Sequence, residues 1–165
     1  MKKIYLAGFD VFRPDAVEYG NSLKALCRDH GFDGLYPLDN AAPGHLSGIE
    51  LAQWICQANI GLIRQADAVM ANLNPFRGAE PDSGTVFEVG YAVALNKPVW
   101  VYTQTADSLV QQVAVDAAQG NGAYVDEQGY TVEDFGLNLN LMIACSSRVV
   151  VGTAGDCLRR IQAVF

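Results

Sequence analysis

The sequence predicts an α/β fold: a doubly wound, five-stranded parallel sheet of flavodoxin-like or Rossmann-like type, with helices on both faces. Two observations predict it. Short apolar runs alternate with longer stretches of helical period, the pattern of βα units feeding a parallel sheet covered on both sides. The chain has 165 residues, half of them apolar, which suits one domain over residues 1–165. A chain of that length buries roughly 70% of its unfolded surface in one core. No internal repeat, low-complexity tract or linker interrupts it.

The first strand is Ile4-Tyr5-Leu6-Ala7, ending at Gly8. A helix follows over Asp15–His30, with Val17, Leu23, Leu26 and Cys27 expected on its inner face and Gly31 beyond its end. Gly34–Leu38 is a short extended piece that opens into a polar loop, Asp39–Ser47. The second helix spans Ser47–Gln65: Ser47 and Glu50 have capping-box spacing, and Leu51, Ile55, Ala58 and Leu62 keep the helical period. Asp67–Leu73 is the next strand, Pro75–Asp82 a loop, Gly84–Asn96 a helix and Val99–Tyr102 the fourth strand. The tail continues with a helix over Leu109–Ala118, a loop over Gly120–Gly136 and a short helix over Leu137–Cys145. Arg148–Val151 is the last strand and Gly155–Phe165 the closing helix. In such sheets ligands sit beyond the C-terminal strand ends. That gathers Gly8–Pro14, Leu38–Gly44 and Asn72–Asp82 around one cleft.

Composition then removes whole classes of chemistry. With 11 Lys+Arg against 18 Asp+Glu and a net charge of -7, the chain lacks the basic stripe of a nucleic-acid binder. No apolar run approaches the ~18 residues needed to cross a bilayer, so no membrane partner is expected. Met1-Lys2-Lys3 ahead of Ile4–Phe9 has the start of a signal peptide. The apolar stretch stops at Asp10, however, and no small-x-small cleavage site follows. Cys27, Cys56, Cys145 and Cys157 are scattered without a C-x-x-C pair, as expected of reduced thiols in a cytoplasmic protein. His30 and His45 stand apart without cysteine partners, so no metal site is expected. The G-x-x-x-x-G-K-[ST] and G-x-G-x-x-G phosphate cradles are missing, as is the G-x-S-x-G elbow, and no cofactor is implied. The third strand has the look of a phosphorylation receiver, but it ends in Asn72, which cannot accept a phosphoryl group, and Asp10 is a lone acid after the first strand.

Carboxylates in the cleft remain. The loop Pro75-Phe76-Arg77-Gly78-Ala79-Glu80-Pro81 delivers Asp82 to the start of a helix, and Glu88 then sits among Val86, Phe87, Val89, Val93 and Leu95. Asp82 has a plain reading as an N-cap. Glu88 has one as the partner of a basic residue across the fold, because an unpaired carboxylate on such a helix is costly to bury. The functional reading is a nucleophile: the helix N-terminus favours the ionised form, and an oxocarbenium-like transition state calls for a nearby anion. Gly84 and Gly90 are expected to permit close approach of a ligand or neighbouring backbone.

Taken together, Lys3-Ile4-Tyr5-Leu6-Ala7-Gly8 with Val11-Phe12, Pro37-Leu38-Asp39-Asn40, Ala66-Asp67-Ala68-Val69, Asp82-Ser83-Gly84-Thr85-Val86-Phe87-Glu88-Val89-Gly90-Tyr91-Ala92 and Asn140-Leu141-Met142 resemble the nucleoside 2-deoxyribosyltransferase family. The similarity runs from about residue 3 to residue 145 and is most specific over Pro75–Leu95. The resemblance implies that Glu88 attacks C1' of a deoxynucleoside, that a covalent deoxyribosyl-enzyme forms, and that a second base intercepts it with net retention. By the same match Asp82 holds the sugar hydroxyls and Tyr5 orients the nucleophile. Asn140 is given to the sugar site of a neighbouring subunit, which implies a homo-oligomer. Phe9 and Phe12 would lie near the base, although either also fits a core position. Tyr5 equally fits an ordinary strand aromatic, and Asn140 a polar position on a short amphipathic helix.

One position departs from the better-known pattern. The family's base-recognising aspartate, which assists protonation of the leaving base, falls at Asn59. An amide can bond a base edge but cannot act as a general acid. Asp39 is the candidate substitute, and water the other. The alternative function is an N-glycosidic hydrolase of (deoxy)nucleoside 5'-monophosphates with the same glutamate. Asp82 weighs against it, since it would repel a 5'-phosphate while the loop offers only Arg77 in compensation. A non-catalytic nucleoside-binding module is the third reading, but binding alone needs no buried nucleophile.

Overall fold

The computed structural model describes residues 1–113, 115–117 and 122–165. In chain order, β1 is Lys2–Gly8, α1 Ala16–Asp29, β2 Phe32–Leu35, α2 Gly48–Gln65, β3 Ala68–Asn72, α3 Ser83–Ala94 and β4 Val99–Thr103. Then come α4 (Leu109–Val113), the short strands β5 (Asp116–Ala117) and β6 (Tyr124–Val125), α5 (Leu141–Ser146), β7 (Arg148–Val151) and α6 (Ala154–Gln162). Five strands form one parallel sheet in the order β2-β1-β3-β4-β7, the flavodoxin-like arrangement. The chain leaves β1 for β2 on one side and returns to β3 on the other. The loops after β1 and β3 therefore part at the topological switch point, where the crevice opens.

Strand alternation sends side chains to two cores. Ile4 and Leu6 pack with Leu23, Cys27, Tyr102, Cys157 and Leu158 on the face covered by α1 and α6. Tyr5 and Ala7 pack with Leu62, Ile63, Val89, Val101 and Ile143 on the face covered by α2, α3 and α5. β3 and β4 are buried along their whole length, as largely apolar strands between two helical layers must be, and each ends in a buried polar residue, Asn72 and Thr103. No helix among the described residues is long and apolar enough to cross a membrane.

Several local expectations shift. The buried stripe of α1 is Ala16, Gly20, Leu23 and Cys27, and Val17 faces solvent. The reason is Gly20: a Cβ there would stand 2.4 Å from the Tyr36 ring, so the helix lies against that aromatic. Ser47 is the N-cap residue of α2 but makes no side-chain cap bond, so the expected capping box with Glu50 is absent. Ile55 is exposed on α2. The helix expected over Leu109–Ala118 stops at Val113; Asp116–Ala117 instead pairs antiparallel with Tyr124–Val125, inside the expected loop. Ala118 and Gly120, which bounded those expectations, lie outside the described residues. The helix expected from Leu137 begins at Leu141, with Asn140 as its cap.

Candidate active site

Tyr5 is fully buried and points from β1 toward α3. Its hydroxyl donates to Glu88 Oε1 at 2.6 Å. From the other side Asn59, on α2, donates its Nδ2 to the same oxygen at 3.5 Å. The plain reading of Glu88 as partner to a basic residue is not what the fold builds. Among the described residues Glu88 has a phenol and an amide for partners and no ion pair. Burial pushes the Glu88 carboxyl up to about 7; the Tyr5 bond opposes the rise, the nearby charge of Asp82 adds to it, and Asn59 opposes it. Burial, and then Glu88 itself, raise the Tyr5 phenol, which keeps its proton and remains a donor.

Asp82 caps α3: its Oδ2 accepts from the Thr85 N–H at 2.8 Å and from Thr85 Oγ1 at 2.9 Å. The N-cap reading therefore describes its structural role; both bonds use Oδ2, and among the described residues no hydrogen bond to Oδ1 is made. Gly84 earns its place here, since a Cβ would crowd Asp82 Oδ2 at 3.2 Å. At Gly90 a Cβ would meet nothing within 4 Å, so among the described residues no neighbouring backbone approaches it.

A cleft of about 230 Å³ reaches Asn59, the amide that meets Glu88, and is lined by Val11, Leu38, Trp54, Ile55 and Ala58 among others. Asn59 Oδ1 is buried and has no hydrogen-bond partner among the described residues. A mostly apolar slot with two carboxamide side chains, Asn40 and Asn59, in its lining suits a flat heterocycle. A larger hollow of about 410 Å³ lies between β7 and the C-terminus, lined by Trp100, Arg148 and Arg160 among others, but no carboxylate enters it. Volume does not locate the chemistry.

Phe9 and Phe12 come together around a residue that sequence reasoning left unassigned. Phe76 stacks on Phe9 with centroids 4.9 Å apart and on Phe12 at 5.4 Å. The Arg77 guanidinium lies 4.6 Å from the Phe76 centroid and 5.3 Å from that of Phe12. The available signal was an aromatic–arginine pair in a Gly/Pro-rich loop at a strand end, where function concentrates. Asp39 is not brought to Glu88. One of its oxygens pairs with Lys24 and the other accepts the Tyr36 N–H at 2.9 Å, which closes the turn after β2. Both of its oxygens are thus engaged, while its neighbours Leu38 and Asn40 line the cleft. Asn140 donates to Glu133 at 2.6 Å and accepts from the Met142 N–H at 3.0 Å as the cap of α5; it lines a small hollow with Pro81, next to Asp82. No group of three or more His, Cys, Asp or Glu side chains is arranged to hold a metal among the described residues.

A carboxylate held between a phenol and an amide, at the crevice of a flavodoxin-like sheet, is equipment for substitution at an acetal carbon. That defines a class of glycosyl-transferring enzymes. Comparison with known proteins narrows it: the sequence pattern of the nucleoside 2-deoxyribosyltransferase family matches residues 4–142, and the chain belongs to that family. A 2-desoxiribosyltransferase from Leishmania mexicana is 34% identical and superimposes with a TM-score of 0.80, covering 99% of each chain. An uncharacterized protein of Schizosaccharomyces pombe, C191.05c, is 32% identical in an alignment that covers 84% of this chain and 74% of that protein. A CMP N-glycosidase from Clostridium botulinum shares the fold alone, with a TM-score of 0.51 at 13% identity over 98% of this chain and 99% of that one.

Proposed function

We propose that this enzyme transfers a 2-deoxyribosyl group from one nucleobase to another by double displacement on Glu88. The observation that carries the reading is the 2.6 Å bond from buried Tyr5 to Glu88, a carboxylate with no ion-pair partner among the described residues. A structural carboxylate would be paired. This one is aimed by a phenol, and although burial raises its proton affinity, it is ionised once the pH passes about 7 and is then free to bond carbon. In the first step a Glu88 oxygen bonds C1' as the C1'–N bond breaks, and the base leaves as its neutral tautomer with a proton drawn from water. In the second, the incoming base attacks C1', the glutamyl ester breaks, and the proton returns to solvent. Two inversions give net retention.

Tyr5 orients the nucleophile, and Asp82 offers Oδ1 to a sugar hydroxyl. Asn59, in the lining of the cleft, bonds the base edge while its Nδ2 faces Glu88. The stack of Phe9, Phe76 and Phe12 forms the aromatic wall of the base site. Asn140 of a neighbouring copy completes the sugar site in a homo-oligomer, as the resemblance implies. Four free thiols fit a cytoplasmic setting.

The test is chromatographic. Incubation with a purine deoxynucleoside and a different free base should yield the new deoxynucleoside, and Glu88→Ala should abolish it with the fold intact. Near-normal exchange by that variant would sink the assignment. Free deoxyribose, or turnover confined to 5'-monophosphates, would instead mark an N-glycosidic hydrolase.

A further inference from the structure

Beside the aromatic stack runs a line of carboxamides whose direction is set by backbone N–H groups. The Gln104 N–H donates to Asn74 Oδ1 at 2.8 Å. The other end of that amide must then donate, and Nδ2 does so to Asn72 Oδ1 at 2.7 Å, beside a second bond from the Asn74 N–H at 3.2 Å. Asn72 is thereby left with Nδ2 at its far end, which donates to Asp10 Oδ2 at 2.9 Å. A donor held in this orientation requires an acceptor at position 10. Asp10 is 4% exposed and Asn72 5%. Gly8 admits the approach, since a Cβ there would stand 2.9 Å from both Asn72 Cβ and Asp10 Oδ2.

The line ties three strand ends together. Gln104 follows β4, Asn72 ends β3, and Asp10 lies in the single 3-10 turn, Phe9–Phe12, that follows β1. The two loops joined at Asn72 and Asp10 are those that bring Phe76 against Phe9 and Phe12. None of these residues is hydrogen-bonded to Glu88. We propose that Asp10, Asn72 and Asn74 are positioning residues that set the spacing of the Phe9–Phe12 turn against the Phe76 loop, and through it the affinity for the nucleobase. The inference rests on the deoxyribosyl-transfer reading. Its effect falls on KM and leaves the chemical step alone.

Exchanging the charge across the pair tests it. Asn72→Asp sets a second carboxylate against Asp10. The other charged or titratable groups around Asp10 are Arg13 in the same turn, Tyr19 on α1, Tyr36 after β2 and Tyr102 on β4. All of these keep their protons near neutrality, so the new pair is what titrates there. Two carboxylates in contact share a proton at low pH and repel once both ionise. Compared with the unaltered protein at the same pH, deoxynucleoside KM for Asn72→Asp should lie within about threefold at pH 5 and rise about tenfold or more by pH 8, with kcat within about threefold. The exchanged pair, Asp10→Asn with Asn72→Asp, again sets one donor against one acceptor and should return KM at pH 8 to within about threefold. If the single variant does not fold at pH 8, the exchanged pair carries the test alone. A pH-independent KM in Asn72→Asp, or a raised KM in a folded exchanged pair, would overturn the inference and leave the transferase reading standing. Absence of exchange by the unaltered protein would remove that reading, and the inference with it.

Discussion

Replacing Glu88 with glutamine is expected to stabilise the protein at alkaline pH while removing its activity. Burial holds the Glu88 carboxyl at about 7 in the folded state, against an ordinary 4.5. The folded protein therefore binds that proton more tightly than the unfolded chain does. The resulting support for the fold is fully present below about pH 4.5 and is lost as pH rises through about 7. Above that, the gap between the two values corresponds to about 3 kcal/mol, an upper figure for a side chain that keeps some contact with solvent. Glutamine retains the shape and an oxygen for the Tyr5 hydroxyl but carries no charge. Urea or thermal unfolding of both proteins should show nearly equal stability at pH 4. At pH 8.5 the variant should lead by about 2–3 kcal/mol, or roughly 5–10 °C at the ~2–4 °C per kcal/mol of a chain this size. A difference that does not change with pH, or a glutamine variant less stable at pH 8.5, would refute the reasoning.

Other outcomes follow from the same geometry. If Glu88 is the nucleophile and must be ionised, kcat/KM for base exchange should rise about tenfold per pH unit up to about 7 and then level off; a flat profile between pH 5 and 8 would overturn the raised carboxyl. Tyr5→Phe removes a bond that holds the Glu88 carboxyl down, so the bend in that profile should move to higher pH and exchange at pH 7 should fall by about tenfold or more. Asn59→Asp sets a second carboxylate within reach of Glu88 Oε1; it too should move the bend upward, and an unchanged profile would show that the two groups do not meet in solution. If a neighbour's Asn140 completes each site, mixing and reassociating the inactive variants Glu88→Ala and Asn140→Ala should regenerate sites with both residues intact and recover activity, whereas mixed chains that stay inactive would assign Asn140 to its own chain's site.

Much of this was legible in the chain. The alternation of apolar runs with helical stretches reports directly on a parallel sheet, because both faces of each central strand must be covered. Tyr5, Asp82 and Glu88 could be picked out by residue type and motif. Asp39 could not be judged from type alone: its carboxylate looks like any other until Lys24 and the Tyr36 N–H are seen to occupy it. Phe76 went unassigned for a similar reason. Stacking on Phe9 and Phe12 joins residues more than sixty positions apart, and no local pattern announces such a contact.

By itself the sequence determined which layers form and which residue types reach the crevice, since periodicity and strand-end loops are local properties. Only the tertiary structure decided how those groups behave. Burial raises the proton affinity of Glu88, and its hydrogen-bond partners come from β1 and α2, 83 and 29 residues away. Asn72, an amide where a receiver would carry an acid, acquires its meaning only when Asn74 and Gln104 fix its direction and leave Asp10 as its acceptor. Proton affinity and hydrogen-bond direction depend on what surrounds a group in space, and that surrounding comes into being with the fold.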